Sequence, residues 1–231
     1  MGSSRLPGKV MLTLQGMSMI HLLYLRLSKS KLCTKILFLI PNTNDNLPLK
    51  NELVRLNIPF IEGSEHDVLS RYASACEQYQ IDNIIRITAD CPLIDAKLID
   101  KMILEYDKNN YSYFSNVHPP TYPDGYDIEI FSSEELLIAE KKAESMYQKE
   151  HVTPYIIDNC KVRANYKNDL DLSSLRLTLD EKEDYDLLTE ISNRVNLINV
   201  QMKDILSIFD QDPQLWSINS AHKRNEGMKN E

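Results

Sequence analysis

The chain has 231 residues, 42% of them hydrophobic, enough for the core of one large α/β domain or two small ones, and this excludes a disordered polymer. A formal net charge of −8 and a pI near 5.2 argue against non-specific binding to nucleic acid or to an anionic membrane, whose phosphates such a surface repels. Four cysteines, Cys33, Cys76, Cys91 and Cys160, are scattered without a C-x-x-C pair. Neither a zinc site nor a disulfide framework is indicated, and a reducing cytoplasm is the expected compartment. No apolar run reaches the ~20 residues that span a bilayer, and no cleavable leader is read.

The first segment, Gly2-Ser3-Ser4-Arg5-Leu6-Pro7-Gly8-Lys9, is a small-residue loop. Its glycines allow backbone N–H groups to converge on an anion, and Arg5 and Lys9 would neutralise a polyphosphate. Five residues separate the glycines, and Val10, which has no hydroxyl, follows the lysine, so the P-loop NTPase pattern is excluded. A flexible tail with two solvated cations is the alternative reading. Residues 17–27 read as a buried helix interrupted by His21 and Arg26. Lys35-Ile36-Leu37-Phe38-Leu39-Ile40, ended by Pro41-Asn42, has the pattern of a strand buried on both faces. A helix at 49–56, a strand at 59–61 and a helix at 67–79 capped near Ser64 follow. Ser64 and Arg71, on the turn entering that helix, could serve a ligand or be an ordinary capped helix with a solvated face. Asn83-Ile84-Ile85-Arg86-Ile87 repeats the buried-strand pattern, which completes a β-α-β-α-β alternation. Further strands are expected at 113–116, 126–131 and 175–179, and helices at 133–147 and 182–194. The polar tail from about residue 221 is expected to fray.

Several acids fall where α/β sheets bind ligands. Asp90, in Ile87-Thr88-Ala89-Asp90-Cys91-Pro92, stands at the carboxyl end of a strand, and Asp180 ends Arg176-Leu177-Thr178-Leu179-Asp180. Two such carboxylates can share one Mg²⁺ and leave its other positions to water and phosphates. For Asp180, capping the following helix is an equal alternative. Asp124-Gly125-Tyr126-Asp127-Ile128-Glu129 places Asp127 and Glu129 on one face of an apolar strand, to meet a cation, an arginine or a hydroxyl-rich sugar, or simply to face water at a sheet edge. It follows the irregular loop His118-Pro119-Pro120-Thr121-Tyr122-Pro123, a type that carries substrate contacts on α/β scaffolds. Glu150-His151 follows a long helix, and a lone histidine is more often structural. No G-x-S-x-G elbow and no H-E-x-x-H pair is present, so a triad hydrolase or zinc protease has no support.

Taken in order, segments 1–11, 63–72, 88–95, 121–131, 150–155 and 176–188 resemble the cytidylyltransferases of the spore coat polysaccharide type, relatives of the enzymes that make CMP-3-deoxy-manno-octulosonate and CMP-sialate. Asp212-Pro213-Gln214-Leu215, Ile218-Asn219 and Arg224-Asn225-Glu226-Gly227 extend the resemblance. It implies a single domain over residues 1–220 and a polar tail at 221–231. The implied fold is of the nucleotide-diphospho-sugar transferase (glycosyltransferase-A) type, an α/β/α sandwich around a mixed, mostly parallel sheet. Position by position it implies that Gly2, Ser3, Ser4, Arg5 and Lys9 bind CTP phosphates, with Ser64 and Arg71 also at the nucleotide. Asp90 and Asp180 would hold Mg²⁺, with Lys9 beside them in catalysis. Tyr122, Asp124, Asp127, Glu129, Glu150 and His151 would face the sugar. The implied reaction is attack of a sugar hydroxyl on the α-phosphate of CTP with loss of pyrophosphate, for surface polysaccharide synthesis.

Members of this family begin with a hydrophobic strand and a Gln-Ala-Arg segment ahead of the glycine loop, and this sequence starts at the corresponding Met. The expectation is an upstream start that restores that strand. Homodimer formation is a further expectation, with Trp216 and its apolar neighbours as a candidate interface, although core packing is the commoner use of a lone tryptophan. Competing readings are a transferase using UTP or a ready-made nucleotide sugar on the same scaffold, and a non-catalytic sugar-nucleotide binding subunit. Retention of Asp90 and Asp180 argues against the latter.

Overall fold

The computed structural model describes Gly2, Ser3 and residues 5–224; Ser4 and the expected tail segment 225–231 lie outside the described residues. A short 3₁₀ turn, Lys9–Met11, leads into the hairpin of β1 (Thr13–Leu14) and β2 (Met17–Ser18) and then into α1 (Met19–Leu27). Next come β3 (Phe38–Pro41), α2 (Leu47–Arg55), β4 (Phe60–Gly63), α3 (Val68–Tyr79), β5 (Asn83–Arg86) and α4 (Ala96–Asp107). The chain continues through β6 (Tyr113–Ser115), β7 (Glu129–Ser132), α5 (Ser133–Lys142), α6 (Met146–His151), α7 (Pro154–Asn159), β8 (Arg163–Asn165), α8 (Lys182–Ser192) and α9 (Met202–Gln211).

The sheet is mixed. β3 and β4 pair in parallel, and a four-stranded sheet runs β5-β7-β6-β8, antiparallel at β7 and parallel between β6 and β8. Side-chain alternation along β6 and β7 builds the layers. Phe114 and Ile130 point into the larger core with α1, α4, α8 and α9, whereas Tyr113 and Phe131 point into a smaller core beneath α3, α5 and α7. A sheet buried on both faces by helices is the α/β/α sandwich expected from the sequence. The larger core runs from Val10 to Leu215, so the loop at the start of the chain and the last helices share one interior.

Among the described residues no ladder joins β3 to β5. Phe38 and Asn42 donate to the carbonyls of Pro59 and Gly63 on the β4 side, so the backbone groups of Leu39 point the other way, toward a cavity of about 630 Å³ lined by Phe38, Leu39, Ile84, Ile85, Ile99 and Ile130. The Leu39 carbonyl on that edge is not left bare, because Arg71 from α3 donates to it at 2.8 Å.

Four local expectations are corrected. Residues 175–179 form no strand: Leu177 and Leu179 donate to the carbonyls of Asp124 and Asp90, which belong to loops, so the segment is hydrogen-bonded without a ladder. The strand expected from 126 starts at Glu129, because Asn116 takes both the Tyr126 carbonyl and the Ile128 N–H and holds the preceding turn. The helix expected over 133–147 stops at Lys142, and Ser145 with Gln148 forms a capping box that starts a new one. Asp67, not Ser64, caps α3, accepting from the Ser70 N–H at 2.8 Å.

Gly125 has φ +97, and an added Cβ would lie 2.6 Å from the Leu177 carbonyl and the Thr178 nitrogen. The turn therefore touches the 175–180 segment backbone to backbone. Gly125→Ala should lower stability by about 2 kcal/mol or more, a fall in Tm of roughly 4–8 °C. Gly16→Ala, at φ +76 but in open space, should cost about half as much. Thermal unfolding of both variants checks the contrast.

Candidate active site

The site begins at the loop. Gly8, at φ +71, turns the chain into the 3₁₀ turn, where Val10 is buried and the Lys9 side chain is sent inward. Ser3 braces the loop by accepting the Leu6 N–H at 3.2 Å, and Gly2 lies beside Glu65 in the turn before α3. Lys9 Nζ reaches two carboxylates at once, Asp90 Oδ2 at 3.1 Å and Asp180 Oδ1 at 2.6 Å. Arg5 stands on the outer side, 2.9 Å from Glu181 and 3.4 Å from Asp180. Burial opposes the charge on Lys9, but the two carboxylates outweigh it and hold the ammonium above its ordinary pKa. Asp90 is the complement: burial works against its ionisation, while Lys9 and the Thr88 hydroxyl hold it below the usual carboxylate range. The loop is therefore not a solvated tail.

Asp90 follows β5 in a turn whose rigidity comes from a buried arginine. Arg26 of α1 donates to the carbonyls of Leu93, Ile94, Leu197 and Val200 at 2.6–3.0 Å, which fixes the Cys91–Ile94 turn against the loop after α8. Asp180 is fixed by a second one. Arg176 makes a fork to Asp184 at 2.8 and 2.9 Å, meets Asp124 at 3.1 Å and Asp180 at 3.4 Å, and donates to the Lys223 carbonyl. Asp184 also caps the turn, accepting from the N–H groups of Asp180 and Glu181, and receives the Asn219 amide. Neither arginine nor Asp184 was singled out from the sequence. The signal was present in Arg176-x-x-x-Asp180-x-x-x-Asp184, a cation with acids four and eight residues on.

The expected sugar-facing residues divide. Asp124 is buried on Arg176, and Tyr122 packs its ring on Tyr166, so both shape the loop. Asp127 is half-buried and pairs with Arg224. Its carboxyl is pushed up to about 7 by burial together with Asp124, Glu129 and Asp90, against the pull of Arg224. Glu129 is a correction: Arg86 takes one oxygen and the Tyr113 hydroxyl the other at 2.6 Å, so this carboxylate is committed inside the fold. His151 and Glu150 lie on that same side. Burial lowers the His151 pKa, and its electrostatic neighbours are Glu150, Arg86 and Glu129 rather than Asp90 or Asp180. Ser64 accepts the Asp67 N–H, and Arg71 is buried toward β3. Two further groups complete the surroundings: His118, whose pKa burial lowers, and Arg224, which also donates to the Tyr122 carbonyl. The tail is thus docked, not frayed, through 222–224, with His222 on Glu183.

Two carboxylates that close on a single cationic nitrogen also suit a divalent cation. Mg²⁺ takes one or two carboxylates and leaves the rest of its octahedron to water and phosphate, and Lys9 occupies the place between Asp90 and Asp180 as a stand-in cation. Among the described residues no cluster of three or more His, Cys, Asp or Glu side chains forms a cage that would hold such an ion without a substrate.

The cytidylyltransferase family model matches residues 1–206, the span that holds Lys9, Asp90, Arg176 and Asp180. This chain belongs to the cytidylyltransferase family. An uncharacterised protein of Methanocaldococcus jannaschii is 35% identical over 223 residues, 95% of this chain and 90% of its own. The spore coat polysaccharide biosynthesis protein SpsF of Bacillus subtilis is 28% identical, with 92% of each chain covered. A solved cytidylyltransferase from Leptospira borgpetersenii serovar Hardjo-bovis superposes with a TM-score of 0.87 at 31% identity, covering 94% of this chain and 92% of that one. Solved nucleotidyltransferases at 10–13% identity share the fold, with TM-scores of 0.55–0.62. Among the described residues of this cytidylyltransferase no helix is long and apolar enough to cross a membrane.

Removing Arg176 would strand Asp184, which is fully buried. Arg176→Met should destabilise the protein by about 3–5 kcal/mol, read by urea unfolding. The acid limb of stability carries the same signature. Burial opposes ionisation of Asp184, but Arg176, the Asp180 and Glu181 N–H groups and Asn219 hold its pKa below 3.8. Its stabilisation is complete above that value and is lost as pH falls through the folded pKa. Urea midpoints should therefore fall below pH 4, and Asp184→Asn should flatten part of that fall.

Proposed function

We propose that this protein transfers CMP from CTP to a hydroxyl of a sugar and releases pyrophosphate, in the synthesis of a surface polysaccharide or glycan. The observation that carries the reading is the convergence of Lys9, Asp90 and Asp180 at the mouth of a glycine-turned loop. The loop and Arg5 would take the β- and γ-phosphates, through backbone N–H groups and a guanidinium aimed outward. Lys9 would move from the carboxylates to the phosphates, where its charge offsets what develops on the leaving pyrophosphate. Asp90 and Asp180 would hold Mg²⁺, which when bound supplies further charge neutralisation at the phosphates. Rigid mounting of these groups by Arg26 and Arg176 keeps the acceptor oxygen and the leaving oxygen in line across the α-phosphate. The acceptor would approach from the loop at 118–127, whose tyrosines and acids offer hydroxyl-binding groups.

The test is pyrophosphate release with CTP, Mg²⁺ and a panel of acidic and amino sugars. The expected outcome is sugar-dependent release with a CMP-sugar as the product, lost on omission of Mg²⁺. Lys9→Ala, Asp90→Asn and Asp180→Asn should each lower kcat by about 10²–10³-fold without loss of folding. Turnover with UTP in place of CTP, or CTP binding without turnover, would replace the reading with the other transferase or with a binding subunit.

A further inference from the structure

The cavity between β3 and β5 is bounded by two strand edges and two apolar layers. On one edge Phe38 and Asn42 turn their N–H groups to the β4 side, so the backbone groups of Leu39 and the Pro41 carbonyl face the cavity. On the other edge the Ser133 N–H takes the Asp82 carbonyl, and alternation along the β5–β7 ladder sends the backbone groups of Asn83 and Ile85 toward the same space. Leu23, Ile99 and Ile103 line it from the larger core, and Val68, Tyr72 and Cys76 from the smaller one. Backbone donors and acceptors on two sides and apolar side chains on the other two suit a strand buried on both faces, the kind made of consecutive Val and Ile.

Arg71 marks the demand on the β3 edge. It reaches the Leu39 carbonyl from α3 at 2.8 Å, is 6% exposed, and its Nε has no hydrogen-bond partner among the described residues. A guanidinium there replaces the N–H of a neighbouring strand and leaves a buried donor unpaired, which costs about 1–3 kcal/mol. The path of the chain identifies the occupant. Gly2 lies beside Glu65 in the turn after β4, and Lys9 reaches Asp90 in the turn after β5, so the loop at 2–9 crosses the sheet at the carboxyl ends of those strands. A strand in the cavity parallel to β3 ends at that same edge, where the loop starts. α1 then lies as the crossover helix of a β-α-β unit. Its Leu23 and Leu27 line the cavity and it leads into β3, just as α2 leads from β3 to the parallel β4.

We propose that the cavity between β3 and β5 is the seat of a further β-strand, parallel to β3, apolar on both faces and joined in cis to the N-terminal side of the loop at 2–9. Its N–H groups take the Leu39 carbonyl and the carbonyls that face the cavity from β5, and its own carbonyls accept from Leu39, Asn83 and Ile85. About five residues suffice, the usual length of a strand. The two sheets then become one, in the order β4-β3-strand-β5-β7-β6-β8, and Arg71 is released from Leu39. Because the loop spans the carboxyl-end mouth of the cavity, the occupant is a strand continuous with that loop rather than a peptide of another protein. The strand serves the fold itself, whichever substrate the site takes.

The experiment compares the 231-residue chain with three N-terminal extensions of it. One adds about five consecutive Val and Ile residues and a short Gly/Ser joint, the second places Pro at alternate positions of that run, and the third has the same length in Ser and Asp. Amide hydrogen exchange at Leu39, Asn83 and Ile85 and thermal unfolding are the readouts. The Val/Ile extension should slow exchange at those amides by about 10²-fold and raise Tm by about 10 °C, or give a cooperative transition where the shorter chain has none. The Pro form, apolar but short of N–H donors, and the Ser/Asp form should do neither. Arg71→Met, which strips the Leu39 carbonyl of its donor, should lower Tm in the 231-residue chain and lower it by less than about half as much in the Val/Ile form. Exchange unchanged at all three amides, equal protection by the Pro form, or a Val/Ile form no more stable than the Ser/Asp form would overturn the strand. An equal loss from Arg71→Met in both backgrounds would overturn the pairing at Leu39. A free Val/Ile peptide, equimolar with the chain, that protects these amides as well as the fused run does would overturn the attachment in cis.

Discussion

A single buried guanidinium holds the candidate site together. Arg176 meets Asp124, Asp180 and Asp184 at once, and through them it joins the 118–127 loop, the carboxylate that meets Lys9 and the start of α8. Asp184 is fully buried and would be untenable without that fork and the three further donors it accepts from Asp180, Glu181 and Asn219. The chain accepts the desolvation of a charged network here because the network does what apolar packing cannot. It fixes the direction of the Asp124 and Asp180 carboxylates. Arg26 repeats the device with carbonyl partners, bonding the Leu93 and Ile94 carbonyls of the turn that follows Asp90.

The sheet supplies the platform with an economy that the site exploits. Among the described residues β5 pairs only β7 and β3 pairs only β4, so the two groups face each other across a cavity. Arg71 covers the Leu39 carbonyl on that edge, which accounts for its burial in α3. An unpaired backbone group in such a place costs free energy comparable to a lost hydrogen bond, so the guanidinium has a structural role there. Asp90, Asp124 and Asp180 meanwhile lie on loops, where no backbone ladder constrains them.

What could be seen in the sequence depended on whether a signal was local. The helix starts at 133 and 182 and the apolar runs at β3 and β5 were legible because periodicity and capping are set within a few residues. The interruption after Lys142 was not, since the stop is decided by the capping box that Ser145 and Gln148 make. Residues 175–179 read as a strand from their alternation, yet their partners are two loops more than 50 residues away, and no local pattern contains that information. Glu129 looked available because alternation placed it with Asp127, but Tyr113 and Arg86 arrive from β6 and β5 and consume it.

By itself the sequence determined the α/β class, the glycine-turned loop with its two cations, and the carboxylate of Asp90 in the turn after β5, because these follow from residue type and short-range spacing. The tertiary structure decided which charges meet. It set Lys9 between Asp90 and Asp180, buried Glu129, put Arg71 on the Leu39 carbonyl and brought Arg224 from the chain's end onto Asp127. Those pairings join residues between 32 and 171 positions apart, and an electrostatic contact depends on distance in space, which only the packing of the whole chain fixes.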